Sequence, residues 1–157
     1  MKNKYLLTKI QLEVLWWLFT ALIVFIVYLP LVINKIDFPY KYYNWAFIIL
    51  AITFTRLIFQ LKHSFLAFNL VLKFIFMFAS VVVLMQAYRG ISLLNIFNDD
   101  NGYYMLFEHL PLEQRYSLAA YANWQYFFFG VAASIASLIF PFRLLISIFR
   151  VKNRGEE

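Results

Sequence analysis

The chain has 157 residues, of which 64% are hydrophobic and only 14% are charged, whereas a soluble domain carries about a quarter charged residues. Nineteen Phe and eleven Tyr are too many to bury in a water-surrounded core of this size, so the composition indicates an integral membrane protein. The net charge of +6 does not indicate nucleic-acid binding, because the basic residues cluster at the ends of apolar segments.

The first apolar segment follows three Lys residues and no acid within residues 1–10. It continues for about 20 residues, which matches a hydrocarbon core of about 30 Å at 1.5 Å per residue. No small-residue cleavage site follows it, so we interpret it as a retained first span rather than a signal peptide. Pro30 lies near its end, where it can terminate the helix or kink its last turn.

Three further apolar segments follow, and the sequence predicts an all-α bundle of four transmembrane helices in a single domain. Pro39 lies in the first connection, a turn near Lys62 separates the second and third spans, and Arg89-Gly90 ends the third. All four Trp residues lie close to predicted span ends, as interfacial anchors do. The predicted spans are about 12–33, 44–61, 65–88 and 124–149.

The long connection, residues 89–123, contains a turn-rich stretch, Asn98–Gly102, and a short helix from Leu112 to Asn123 that follows Pro111. This helix either lies on the outer leaflet or extends the fourth span beyond the membrane. The absence of Pro and Gly between Leu112 and Phe129 favours extension.

The distribution of Lys and Arg predicts the orientation. One side of the membrane would carry seven basic residues near the span ends and the other side four. The excess places the N and C termini in the cytoplasm and the 89–123 loop outside, most simply in a bacterial inner membrane. The larger set is Lys2, Lys4, Lys9, Lys62, Arg150, Lys152 and Arg154, and the smaller is Lys35, Lys41, Arg89 and Arg115.

Small residues recur at four-residue spacing in the fourth span. Gly130 with Ser134, and Ala133 with Ser137, lie on shared helical faces, and such faces allow close contact between helices in lipid. We expect packing within the bundle, docking onto a partner subunit, or both.

Polar residues form stripes inside the second and third spans. In the second span, Thr53, Arg56, Gln60 and His63 are spaced three, four and three residues apart, and in the third span Asn69, Lys73 and Ser80 share a face. The two spans are predicted to form a hairpin, so their stripes can face each other. Arg143 lies on the fourth span, and Glu13 is the one acid among the spans that can pair with Arg56 or Lys73.

Three interpretations of these charges stand side by side. In the first, the basic side chains extend to the cytoplasmic headgroups and Glu13 pairs with one of these side chains. In the second, the surplus positive charge binds an anionic headgroup or an acid on a partner protein. In the third, the polar stripe belongs to a transport path. The third is the weakest, because a proton relay normally uses several buried Asp, Glu or His residues.

No motif for a catalytic site, a phosphate loop or a metal site is present, so we predict no catalytic residue, metal or cofactor. The predicted function is a non-catalytic accessory, assembly or scaffold subunit of a larger membrane complex. Its partners would be membrane lipids and other integral membrane proteins. The alternative is a small carrier or membrane enzyme that handles a lipid or another anionic amphiphile through the intramembrane basic cluster.

Overall fold

A computed structural model describes the backbone of residues 2–67, 69–101 and 103–153, with the side chains of residues 7–62, 64, 66–67, 69–99 and 105–150. The described residues form four long α-helices joined by short connections: α1 (Lys2–Ile33), α2 (Lys41–Gln60), α3 (Leu70–Asn101) and α4 (Leu112–Asn153). Each is long and apolar enough to cross a membrane. The prediction of an all-helical fold with four helices that can each span a membrane is confirmed.

Helix α4 is the central element of the bundle. Helices α2 and α3 each pack along α4 and have few contacts with each other. Helix α1 packs mainly against α2. The expected face-to-face hairpin of the second and third spans therefore does not form, because α4 occupies the space between them. Helix α1 packs least against the other helices and is the most peripheral of the four.

The bundle has two ends with separate hydrophobic clusters. The start of α1, the end of α4 and residues 61–67 mark the first, which we name the termini end, and residues 34–40 and 103–111 mark the second, the loop end. Phe54 of α2 stacks on Phe140 of α4 at the termini end, with ring centroids 4.9 Å apart. The loop end has an aromatic core of Phe38, Phe47, Phe107 and Tyr126.

The connection between α2 and α3 is longer than the sequence suggested. Two 3-10 turns, Leu61–His63 and Phe65–Ala67, precede α3, which begins at Leu70 rather than near residue 65. The Oγ of Ser64 accepts a hydrogen bond from the Leu66 N–H at 3.0 Å. Ser favours such local bonds over a continuous helix, and this moves the start of α3.

Most of the predicted 89–123 loop is helical. Helix α3 continues through Arg89 and Gly90 to Asn101, and residues 112–123 form the first turns of α4 rather than a separate short helix. Residues 103–111 belong to the connection between α3 and α4, with a 3-10 turn at Tyr103–Phe107. Gly90 does not end α3, because packing against α2 stabilises the helix there more than glycine's low propensity destabilises it.

Two glycines allow the helices to approach closely around Phe47, which is 2% exposed. A Cβ at Gly90 would lie 2.7 Å from Phe47 Cζ, and one at Gly130 would lie 3.1 Å from Phe47 Cε2. The Tyr126 hydroxyl also donates to the Gly90 carbonyl at 2.9 Å. The ring of Phe47 thus fills the junction of α2, α3 and α4.

Candidate functional site

The centre of the candidate site is an ion pair at the termini end of the bundle. Arg56 Nη1 of α2 donates to Glu13 Oε2 of α1 at 2.7 Å, and the two side chains are only 8% and 18% exposed. Of the two basic partners that the sequence allowed for Glu13, the structure selects Arg56. A short, charge-assisted bond between mostly buried groups fixes α1 against α2 at this level.

Trp16 completes the site from the α1 side. Its ring lies 5.4 Å from the Arg56 guanidinium carbon, within the range of a cation–π interaction. Glu13, Trp16 and Thr20 share one face of α1 because they are three and four residues apart. The Thr20 hydroxyl donates to the Trp16 carbonyl at 2.8 Å, so its own donor is satisfied within α1.

A groove of about 310 Å³ opens beside the pair. Glu13, Arg56 and Thr53 form part of its wall, and Ser64 and Phe76 close it from the 61–69 connection and α3. The remaining wall is mostly aromatic and aliphatic. The charged wall can bind a polar headgroup, and the apolar wall can pack against a hydrocarbon chain.

Arg56 also lines a second groove of about 330 Å³ on the α4 side, together with Trp16, Gln60 and Phe128. Arg56 Nε is buried and has no hydrogen-bond partner among the described residues. The guanidinium carries five N–H donors, and the bond to Glu13 uses only part of this capacity. Arg56 can therefore bind a second acceptor without losing Glu13.

Arg143 interacts with the end of α2 rather than with Glu13. Its Nε donates to the Ile58 carbonyl at 2.9 Å. The last carbonyls of a helix lack intrahelical donors, and a cation there also interacts favourably with the helix dipole. This contact gives Arg143 a structural role as a cap of α2.

The polar residues predicted on the third span take no part in the Glu13–Arg56 ion pair. Asn69 caps α3, since its Oδ1 accepts the Leu72 N–H at 3.1 Å. Lys73 is 2% exposed and forms no ion pair with a carboxylate among the described side chains. The side chain of His63, another predicted member, lies outside the described side chains.

The predicted small-residue face of α4 is turned into the bundle. Gly130, Ala133 and Ser137 are buried, and Ser134 is half-buried. The hydroxyls of Ser134 and Ser137 donate to the carbonyls of Gly130 and Ala133 at 2.8 Å and 2.6 Å. Three of these four residues are thus covered by neighbouring helices of the same chain.

Sequence reasoning treated Trp16 only as an interfacial anchor and passed over its contact with Arg56. The signal was its position three residues after Glu13, on the same helical face. Two buried amides, Asn44 and Gln125, were also missed, and neither has a hydrogen-bond partner among the described residues. Asn44 lies in the first turn of α2, toward the loop end, and so is remote from Arg56.

No three His, Cys, Asp or Glu residues in the described part of the chain lie close enough to hold a metal ion. Comparisons with protein-family models, curated proteins and solved structures find no match for this chain.

Proposed function

We propose that this protein binds a lipid or another amphiphile within the membrane, at the Glu13–Arg56 pair. The observation that supports this most is the position of the pair on the wall of an otherwise apolar groove. A charged pair in a membrane-spanning bundle is costly, so it is normally retained for a specific interaction. We propose a binding or carrier role, with no catalytic step.

The depth of Arg56 fits a headgroup. Arg56 lies four residues before Gln60, the last residue of α2, which is about 6 Å along the helix at 1.5 Å per residue. The guanidinium therefore lies about one helical turn inside the bundle. Phosphate or carboxylate oxygens of an amphiphile can reach it there from the membrane surface.

The test is purification in a mild detergent followed by mass spectrometry of the intact protein. We expect the native chain to retain a lipid in stoichiometric amount. Arg56→Ala should abolish this retention, because it removes the main donor of the site, while Lys35→Ala, in the 34–40 connection, should not. Equal retention by both variants, or no retained lipid in the native protein, would contradict the proposal.

A second candidate is an accessory, assembly or scaffold subunit of a larger membrane complex. The observation that favours it is the exposed apolar surface at the start of α4, where Leu112 is 67% and Tyr116 is 55% exposed. The small-residue face is not available for this purpose, since most of it is buried within the chain. We therefore propose the start of α4 as the docking surface for another integral membrane protein.

Site-specific photo-crosslinking separates the two candidates. A photoreactive residue at Leu112 should crosslink one protein in constant proportion if the chain is a subunit, whereas the same residue at Ile75, an exposed position in α3, should not. Lipid retention without a specific crosslink would support the first candidate alone. For location we propose the inner membrane of a bacterium, with both termini in the cytoplasm.

A further inference from the structure

The groove beside the ion pair continues along α1. A further groove of about 390 Å³ lies between α1 and α2 and extends from Trp17 to Val32. Trp17, Thr20 and Ile49 line this groove and also the one that contains Glu13 and Arg56. The two grooves therefore form one continuous surface with the charges at one end.

The dimensions of this surface suit a hydrocarbon chain. Trp17 and Val32 are fifteen residues apart in α1, or about 22 Å along the helix. One acyl chain crosses about half of the ~30 Å hydrocarbon core, so the groove is long enough to hold it. Ala21 and Val24 line the middle of the groove with small side chains, and Phe25 and Tyr28 lie farther along it.

The charged end carries one group of each sign. Glu13 uses Oε2 for the bond to Arg56 Nη1, which leaves Oε1 as an acceptor and the remaining guanidinium N–H groups as donors. A ligand with only a negative charge would place a second anion beside the single cation of Arg56 and would be repelled by Glu13. A zwitterionic headgroup satisfies both residues and leaves their own contact intact.

We propose that this continuous groove binds a zwitterionic phospholipid with a primary ammonium group, of the phosphatidylethanolamine class. Its phosphate contacts Arg56, its ammonium donates to Glu13, and one acyl chain follows α1 toward Val32. A primary ammonium donates hydrogen bonds to a carboxylate, whereas a trimethylammonium group has no N–H to donate. This inference rests on the proposed binding function and adds the lipid class and the path of the chain.

The headgroup is tested in vesicles of equal parts phosphatidylethanolamine, phosphatidylglycerol and phosphatidylcholine. After reconstitution and mild extraction, mass spectrometry should find phosphatidylethanolamine enriched on the native chain. Glu13→Gln should reduce that preference about tenfold, the expected effect of losing one charge-assisted hydrogen bond. Lys62→Gln, an exposed change at the same end of the bundle, should leave the preference intact.

The other outcomes separate the two proposals. Enrichment of phosphatidylglycerol that depends on Arg56 would overturn the zwitterionic assignment and leave the binding function standing. Failure to retain any lipid would overturn the binding function itself. Unchanged enrichment of phosphatidylethanolamine in Glu13→Gln would overturn the role assigned to the carboxylate.

The path of the acyl chain is tested with Ala21→Phe, which fills the groove from an exposed position. The control is Ala79→Phe, the same change at an exposed position of α3. We expect Ala21→Phe to lower lipid retention several-fold and Ala79→Phe to leave it unchanged, with both variants melting like the native protein. Equal effects, or a change in oligomeric mass with lipid retention intact, would overturn the chain's path along α1.

Discussion

Lys35 adopts the left-handed backbone conformation, with φ of 55°, which residues other than glycine rarely adopt. It follows the end of α1, where the Lys35 N–H donates to the Val32 carbonyl and the Ile36 N–H to the Leu31 carbonyl, both at 3.0 Å. This pair of bonds is the Schellman motif, in which glycine normally occupies the position that Lys35 holds here. The apolar contact typical of the motif is also available, since Leu31 and Ile36 are both buried.

Lys35→Gly should therefore stabilise the protein by about 0.5–1 kcal/mol, because glycine has no Cβ to strain in this conformation. Thermal unfolding in detergent measures the change. Lys62→Gly is the control, since Lys62 lies in a 3-10 turn and is not among the described residues with positive φ. A destabilised Lys35→Gly variant would show that the side chain contributes more than its backbone strain costs.

The Glu13–Arg56 pair should show strong energetic coupling. Removing either partner alone leaves a mostly buried charge, which costs about 3 kcal/mol, whereas removing both leaves none. The double variant Glu13→Ala/Arg56→Ala should therefore lose at least about 1 kcal/mol less than the sum of the single losses. A denaturant titration of all four proteins gives the coupling.

The pair Asp37–Lys41 is the matched control for this cycle. Lys41 Nζ and Asp37 Oδ1 are 3.1 Å apart, but the Asp37 side chain is 88% exposed. Solvent screens the attraction between such exposed charges. The double-mutant cycle of Asp37 and Lys41 should therefore show little coupling energy. Comparable coupling in the two pairs would argue that burial of Glu13 and Arg56 adds nothing to their interaction.

At the level of elements, glycine decides how closely α3 and α4 approach α2. The Cβ of Gly90→Ala would meet Phe47 Cζ and Tyr43 Cδ1 at 2.7 Å, and the ring of Phe47 is buried in the packed junction. We expect a net loss of about 1–2 kcal/mol, since overpacking costs more than the helix propensity that alanine gains. Thermal unfolding in detergent tests this.

Gly130→Ala provides the comparison. A Cβ at Gly130 would meet Ile91 Cγ1 at 3.0 Å and Phe47 Cε2 at 3.1 Å. Both contacts are longer than those at Gly90, so the gain of about 1 kcal/mol in helix propensity offsets most of this milder clash. We expect Gly130→Ala to remain close to the native stability. The reverse order of the two variants would contradict the packing described around Phe47.

At the scale of the whole molecule, the sequence predicted the all-α fold class and the number of long helices, because the length of an apolar segment is a local property of the sequence. Local facts, namely one acid and few basic residues inside the spans, limited the partner of Glu13 to Arg56 or Lys73, and only the packing of α1 against α2 decides between them. The limits of α3 were harder to predict. Gly90 is a helix breaker by propensity, and only its contacts with Phe47 and Tyr43 explain why the helix continues.

The order of the helices around the bundle could not be predicted from the sequence, for a different reason. Short connections make neighbours in sequence the default neighbours in space, which predicted a paired second and third span. Instead, α4 packs between them, and the small residues at Gly130 and Ala133 are what permit this close approach. Several faces of α4 carried small residues, and the sequence alone did not indicate which helix each face would meet.

The orientation of the bundle is a prediction about the whole molecule. Seven basic residues near the predicted span ends on the side of the termini against four on the other side predict that the termini end lies in the cytoplasm. The chain has no cysteine, so a single introduced thiol can be labelled without background. Glu108→Cys at the loop end should react with a membrane-impermeant reagent in intact cells, and Lys62→Cys only after permeabilisation. Both positions are exposed, so the reverse pattern would place the termini end outside.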